Sequence, residues 1–127
     1  MNKKNVLTGK VVHGKALGRT VGMPTANLCV ESGELPALGV YATKILVGDV
    51  WYASVTNIGT RPTVDGEHTI TVETFILDFE QDIYGEKVML EICEFLRPIQ
   101  KFSCLDDVFL QVKKDVEKVK NVLTSTK

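Results

Sequence analysis

The sequence predicts an all-β protein, an antiparallel barrel of six strands followed by one C-terminal α-helix. Six short segments are rich in the β-branched and aromatic residues that favour strands. No helical segment separates them, which disfavours a fold of alternating strands and helices. Closing the strands into a barrel is the natural way to bury their edges. One amphipathic helical pattern then follows near the C-terminus.

The predicted strands cover residues 6–13, 26–30, 40–47, 50–58, 69–79 and 87–96. Gly48-Asp49 separates the third from the fourth by two residues, which is typical of a tight antiparallel hairpin. Asp65-Gly66 and Tyr84-Gly85 mark two further reversals. Three irregular stretches remain, at 13–25, 31–39 and 57–68, and loops gathered at one rim of a barrel commonly form its binding site.

The helix is predicted from Ser103, which can cap it, with two aspartates in the first turn where negative charge complements the macrodipole. Its apolar residues recur at helical spacing and predict a face packed on the barrel. These residues are Leu105, Val108, Phe109, Val112, Val116 and Val119.

The bulk composition describes a single ordinary globular domain, residues 1–127. A net charge of −1 argues against a nucleic-acid partner, which usually requires a basic excess. No run of about 18 apolar residues predicts a membrane span, and no apolar segment follows the basic N-terminus as in a signal peptide. The three cysteines lack disulfide or zinc spacing, so we expect free, buried thiols in a reducing compartment. The expectation is a cytoplasmic monomer.

A glycine-flanked segment, Gly18-Arg19-Thr20-Val21-Gly22-Met23-Pro24-Thr25-Ala26-Asn27, carries the first chemical signal. If its end is extended, Thr25 and Asn27 project from one face, because side chains alternate along a strand. A hydroxyl and an amide oxygen suit a hard cation such as Mg²⁺, and glycines let backbone amides approach phosphate. The alternative is a simple turn. No Walker motif is present.

Glu73 carries the second signal. It shares a predicted strand face with Phe75 and Leu77, where a carboxylate is costly unless it has a partner or a task. Such surroundings would raise its pKa toward that of a general base, whereas a solvated position at a strand end would not.

Two further polar stretches admit two interpretations each. In the predicted loop 57–63, Arg61 would meet a phosphate or simply be exposed. Arg97 and Phe102 would together face a planar ligand. Alternatively, Arg97 is a surface charge and Phe102 packs against the start of the helix.

Taken together, these motifs resemble the riboflavin kinase family in the right order along nearly the whole chain. They are GKVVHG at 9–14, GRTVGMPTANL at 18–28, LP at 35–36 with GVYA at 39–42, NIGTRPT at 57–63, VETFILDF at 72–79 with DIYG at 82–85, and LRP at 96–98 with Phe102. The resemblance implies a Greek-key barrel and transfer of the ATP γ-phosphoryl group to the 5′-hydroxyl of riboflavin, giving FMN and ADP.

The resemblance also implies roles for individual residues. Glu73 would be the catalytic base, Thr25 and Asn27 would hold Mg²⁺, with Zn²⁺ or Mn²⁺ as alternatives, and Arg97 with Phe102 would line the flavin site. The positions implied to contact ATP are Gly14, Arg19, Gly22, Thr25, Asn27, Ile76, Asp78 and Tyr84.

Other classes of function remain open at this stage. One is a non-catalytic flavin- or nucleotide-binding barrel, which would have no need of a base at Glu73. Another is an oligonucleotide-binding barrel, which the composition disfavours. Bacterial relatives commonly join this domain to an FMN adenylyltransferase domain, and no nucleotidyltransferase motif is present here. We expect the chain alone to phosphorylate but not to adenylylate.

Overall fold

The computed structural model describes residues 5–12, 26–62, 66, 68–79, 83–99 and 105–125. Six strands and a C-terminal helix are present, in the predicted order. The strands are β1 (Asn5–Val12), β2 (Ala26–Ser32), β3 (Gly39–Val47), β4 (Val50–Pro62), β5 (His68–Ile76) and β6 (Lys87–Arg97), and the helix is α1 (Leu105–Ser125).

All strand pairs are antiparallel, and they close into a barrel in the order β1-β2-β5-β4-β3-β6. Strands β3, β4 and β5 follow one another as neighbours, and β6 returns to lie beside β3, which is the Greek-key connection. Pairing of β6 with β1 then completes the closure. The predicted fold class is confirmed.

The barrel has an inner and an outer apolar layer. The inner layer comes from all six strands and includes Leu7, Ile45, Ile58 and Leu90, each at most 1% exposed. The outer layer lies between the barrel and α1, where Val119 is fully buried. Val116 also packs there, so the predicted apolar face of the helix is confirmed at these two positions. Fully burying such a side chain contributes about 1.5–3 kcal/mol.

Two predicted strand ends were misplaced by at least three residues. The fourth strand runs beyond Ile58 to Pro62, so the sequence 57–62 is strand rather than loop. The fifth strand ends at Ile76 instead of residue 79. Its continuation turns because Asp78 adopts a left-handed backbone conformation (φ 54°), and the amide of Leu77 donates to the carbonyl of Ala53 at 3.0 Å.

The thiols are not where the sequence suggested. Cys29 and Cys93 form no disulfide among the described residues, as predicted, but both are exposed rather than buried. Cys29 alternates with the buried Leu28 and therefore lies on the outer face of β2. Cys104 lies outside the described residues. Within the described part of the chain, no helix is long and apolar enough to cross a membrane.

Candidate active site

A single row of cross-strand partners joins the predicted site residues on the outer face of the barrel. In the ladder registers, Asn27 pairs with Glu73, and Glu73 pairs with Asn57 on its other side. Directly opposed partners share a face of the sheet, with Cβ atoms roughly 4.5–5.5 Å apart. The whole row, one residue from each strand, reads Val12, Asn27, Glu73, Asn57, Val40 and Arg97.

Glu73 lies at the centre of three neighbouring strands. Its chain neighbours Val72 and Thr74 are buried inside the barrel, and Glu73 itself is half-buried on the outside. Phe75, two residues along, packs on the outer apolar layer beneath α1. The predicted shared face of Glu73 and Phe75 is therefore confirmed. A carboxylate in such a place is held beside apolar surface yet remains accessible from outside the barrel.

Two carboxamides flank that carboxylate. Asn27 and Asn57 are both half-buried, and neither side chain has a hydrogen-bonding partner within the part of the chain that the structure describes. Half-buried amides can bond water or a ligand, so these two carboxamides beside a carboxylate are candidates for substrate contacts. Asn57 was not predicted as a site residue. The reversal at Asp65-Gly66 carried the signal, because a hairpin centred there places Asn57 opposite Glu73.

Behind this outer row lies a chain of buried hydroxyls inside the barrel. Thr43 Oγ1 is hydrogen-bonded to Ser54 Oγ at 2.6 Å and to Thr56 Oγ1 at 2.8 Å. Thr56 Oγ1 is bonded in turn to Thr74 Oγ1 at 2.9 Å. All four side chains are fully buried. We refer to them as the hydroxyl chain, and it crosses β3, β4 and β5 next to the rungs that carry Asn57 and Glu73.

Arg97, at the far end of the row, is bound to the helix. Its Nε and Nη2 atoms donate to the two carboxylate oxygens of Asp115 at 3.0 and 2.8 Å, and its Nη1 donates to the carbonyl of Pro98 at 3.3 Å. Gln111 donates a further hydrogen bond to Asp115 at 3.1 Å. Asp115 is 1% exposed, so this paired guanidinium anchors α1 to β6.

Asp115 was also missed, although the sequence carried a signal. It falls between Val112 and Val119 on the apolar face of the helix, where a charged residue needs a partner. A role for Arg97 beside the flavin stays a prediction.

Three further predicted nucleotide contacts, Ile76, Asp78 and Tyr84, lie in the described part of the chain. Ile76 is 6% exposed and its side chain belongs to the barrel core, so a nucleotide could contact it only through its backbone atoms. Asp78 is exposed in the turn after β5. Tyr84 is 54% exposed, and the amide of the next residue, Gly85, donates to the carbonyl of Val11 at 2.9 Å. That bond fixes the Tyr84 turn to the edge of β1, one residue from the partner of Asn27.

Several predicted site residues lie outside the described part of the chain. They are Gly14, Arg19, Gly22, Thr25 and Phe102. Among the described residues, no group of three or more histidine, cysteine, aspartate or glutamate side chains could hold a metal. Among the described residues of the row, Asn27 carries an amide oxygen, which is a hard donor. It fits a cation such as Mg²⁺ that takes few protein ligands.

A hollow of about 480 Å³ also lies on the barrel, lined by Lys44, Trp51, Tyr52, Ala53 and Glu91. None of these residues belongs to the row. The hollow is wide open, and its nearest lining residue on β4, Ala53, is four positions along the strand from Asn57. The chemistry of the row, rather than this hollow, identifies the candidate site.

Comparison with known proteins identifies the family of this chain. The family model for riboflavin kinase (flavokinase) matches residues 1–123. The bifunctional riboflavin kinase/FMN adenylyltransferase of Haemophilus influenzae is 39% identical over 98% of this chain, and that of Escherichia coli K12 is 40% identical over 86%. An RNA-binding riboflavin kinase of Bacillus subtilis is 40% identical over 87%. The chain spans 41%, 35% and 48% of the lengths of these three relatives.

Two solved structures share the fold. A protein from Streptococcus pneumoniae described as a macrolide-efflux protein superposes with a TM-score of 0.86 at 39% identity, covering 93% of this chain and 39% of its own. Riboflavin kinase from Trypanosoma brucei superposes with a TM-score of 0.63 at 24% identity, covering 95% of this chain and 80% of its own. At that identity the second likeness shows the fold alone. From the match of the family model along almost its entire length, the chain belongs to the riboflavin kinase family.

Proposed function

We propose that this domain transfers the γ-phosphoryl group of ATP to the 5′-hydroxyl of riboflavin, giving FMN and ADP. The observation that carries the proposal is the position of Glu73 between Asn27 and Asn57, on three adjacent strands. Membership of the riboflavin kinase family supports the choice of substrates. Phosphoryl transfer requires positioning and charge stabilisation more than covalent chemistry, and a rigid row on a barrel supplies positioning.

Glu73 is the proposed catalytic base. Its carboxylate accepts the proton of the riboflavin 5′-hydroxyl as that oxygen bonds to the γ-phosphorus. The bond from phosphorus to the bridging oxygen breaks, and ADP leaves with that electron pair. Half-burial beside the Phe75 layer limits water around the carboxylate, which favours transfer to riboflavin over hydrolysis.

Thr25 and Asn27 are the proposed ligands of the divalent cation that the family's chemistry implies. When bound, the cation neutralises charge on the transferring phosphate. Asn27 lies beside Glu73 on the strand next to β5, so it can hold the phosphate end of the substrates against the base. Oxygen donors favour Mg²⁺ over Zn²⁺, which prefers nitrogen and sulfur ligands.

The remaining contacts are proposed from the resemblance to the family. The proposed contacts to ATP are Gly14, Arg19, Gly22, Ile76, Asp78 and Tyr84. Arg97 and Phe102 are proposed beside the flavin ring. The hydrogen bonds from the Arg97 guanidinium to Asp115 and to the carbonyl of Pro98 hold this side chain in one position, which supports a fixed contact.

The cellular setting is proposed on similar grounds. Exposed free thiols at Cys29 and Cys93 suit a reducing compartment, which supports the cytoplasm. The relatives carry FMN adenylyltransferase in the same chain, so we propose that FMN made here passes to such a domain. We further propose that the domain is active as a monomer and needs neither nucleic acid nor a membrane.

The direct test is incubation of the purified chain with riboflavin, ATP and Mg²⁺, followed by chromatographic separation of flavins. We expect FMN and ADP to form in equal amounts, and omission of ATP to abolish FMN. Folded protein, verified by circular dichroism, that forms no FMN would contradict the proposed function.

A further inference from the structure

We propose that Asn57 determines specificity for the acceptor by hydrogen-bonding a secondary hydroxyl of the ribityl chain. This inference rests on the proposed function and adds a residue to the site on which that function depends. It starts from the row on β2, β5 and β4, in which Asn57 is the partner of Glu73 on the side away from Asn27.

The side chain of Asn57 is available for such a bond. It is half-buried on the outer face of β4, and no described residue is hydrogen-bonded to its carboxamide. By contrast, its neighbour on the inner face, Thr56, is fully buried and bonded to two other hydroxyls. Among the described residues, the polar group inside the strand is satisfied, and the one outside can bond another molecule.

The geometry of phosphoryl transfer indicates that the molecule bonded by Asn57 is the acceptor. The attacking and leaving oxygens lie roughly in line on opposite sides of the phosphorus. If the phosphates of ATP lie toward Asn27 and the attacking hydroxyl lies at Glu73, the rest of the acceptor extends away from Asn27. On this barrel that direction crosses Asn57, one strand spacing of about 4.8 Å further along the row.

The surface beside Asn57 has both polar and apolar groups. Gly59, the next outward position on β4, is buried, and a Cβ atom there would be in ordinary van der Waals contact with Nδ2 of Asn57 and Cδ1 of Ile99, both at 3.8 Å. The third near atom is Oγ1 of Thr71, at 3.9 Å. Ile99 is 43% exposed, so an apolar side chain reaches the surface here. A carbon chain that carries hydroxyls matches such a mixed surface.

A carboxamide is suited to recognise a polyol because it both donates and accepts hydrogen bonds. A site built to bond a hydroxyl rejects an analogue without it, since the protein group is then left without a partner. Asn57 would therefore favour acceptors with a hydroxyl close to the reacting one over acceptors with a plain alkyl chain.

The test uses two acceptors and two forms of the chain. One acceptor is riboflavin, and the other is an analogue whose ribityl chain is replaced by 5-hydroxypentyl, which keeps the reacting hydroxyl and lacks the other three. For Asn57→Ala we expect kcat/KM for riboflavin to fall roughly tenfold, the loss of about one neutral hydrogen bond, while kcat/KM for the analogue changes less than twofold. KM for ATP should not change.

Two further variants separate recognition from folding. Asn57→Leu keeps the bulk of the side chain and should behave as Asn57→Ala does. Thr60→Ala, on the opposite face of β4, should leave both acceptors unaffected. Equal losses for riboflavin and the analogue would overturn the inference, because Asn57 would then act without touching a hydroxyl. Absence of phosphorylation of either acceptor by the unmodified chain would instead overturn the proposed function.

Discussion

The two faces of the β4–β5 ladder carry polar residues in adjacent rungs, but these residues differ in burial and in hydrogen bonding. Inside, Thr56 and Thr74 are fully buried and hydrogen-bonded to each other at 2.9 Å. Outside, Asn57 and Glu73 occupy the next rung and are half-buried. The inner hydroxyls are hydrogen-bonded to one another, whereas no described residue is hydrogen-bonded to the carboxamide of Asn57.

The difference separates polar groups that stabilise the fold from those that we propose to bind a ligand. A buried hydroxyl without a partner costs about 1–3 kcal/mol, so inner positions must be satisfied by the chain itself. A half-buried amide can be satisfied by water or substrate instead. Because side chains alternate along a strand, residues that stabilise the barrel and residues of the proposed site are neighbours in sequence but lie on opposite faces of the sheet.

The largest effect on turnover is expected for Glu73→Gln. Loss of the general base should lower kcat by about 10²–10⁴-fold in protein that is still folded. Steady-state FMN formation measures kcat, and circular dichroism verifies the fold. Glu94→Gln, an exposed carboxylate on β6, is the matched control and should retain full activity. Normal turnover by Glu73→Gln would exclude it as the base.

A smaller effect is expected for Asn27→Ala. If Asn27 is a ligand of the cation, the Mg²⁺ concentration that gives half-maximal rate should rise by roughly tenfold or more. Titration of FMN formation with Mg²⁺ at saturating ATP measures this shift. Asn57→Ala, on the other side of Glu73, should leave the Mg²⁺ dependence unchanged. An unaltered requirement in Asn27→Ala would refute the ligand assignment.

The smallest effect on turnover is expected inside the barrel. Thr43→Val removes the central member of the hydroxyl chain and leaves the buried Ser54 without its partner. We expect the free energy of unfolding to fall by about 1–3 kcal/mol, with kcat of the folded protein unchanged. Thr74→Val removes only an end of the chain, since Thr56 keeps its bond to Thr43, and should cost less. A fall in kcat without a loss of stability would contradict the separation of the two faces.

Much of the fold could be predicted from local sequence patterns. β-branched runs, the Gly48-Asp49 hairpin and the helical apolar face each depend on neighbouring residues. The end of β4 was misplaced because Gly59 and Pro62 resemble a turn, although both lie within a strand. The end of β5 was misplaced because nothing local shows that Asp78 takes a positive φ.

The site was predicted in part. The pattern of Glu73 with Phe75 indicated an outward carboxylate beside apolar surface, and the resemblance indicated Asn27. What local patterns could not show is which strands become neighbours. Asn57 enters the site through the register of a hairpin, and Asp115 meets Arg97 only because α1 packs back over β6. Both are contacts between distant parts of the chain.

The strand order has a consequence for how activity is acquired. Asn57 and Glu73 come together as soon as one hairpin forms, because β4 and β5 follow each other in the chain. Asn27 reaches Glu73 only when β2 joins β5, a pairing across the intervening β3 and β4. Contacts between distant segments form slowly, since closing the loop costs conformational entropy before the contacts lower the free energy. Recovery of activity during refolding is therefore a measure of barrel closure, and it should lag behind the formation of the β4–β5 hairpin.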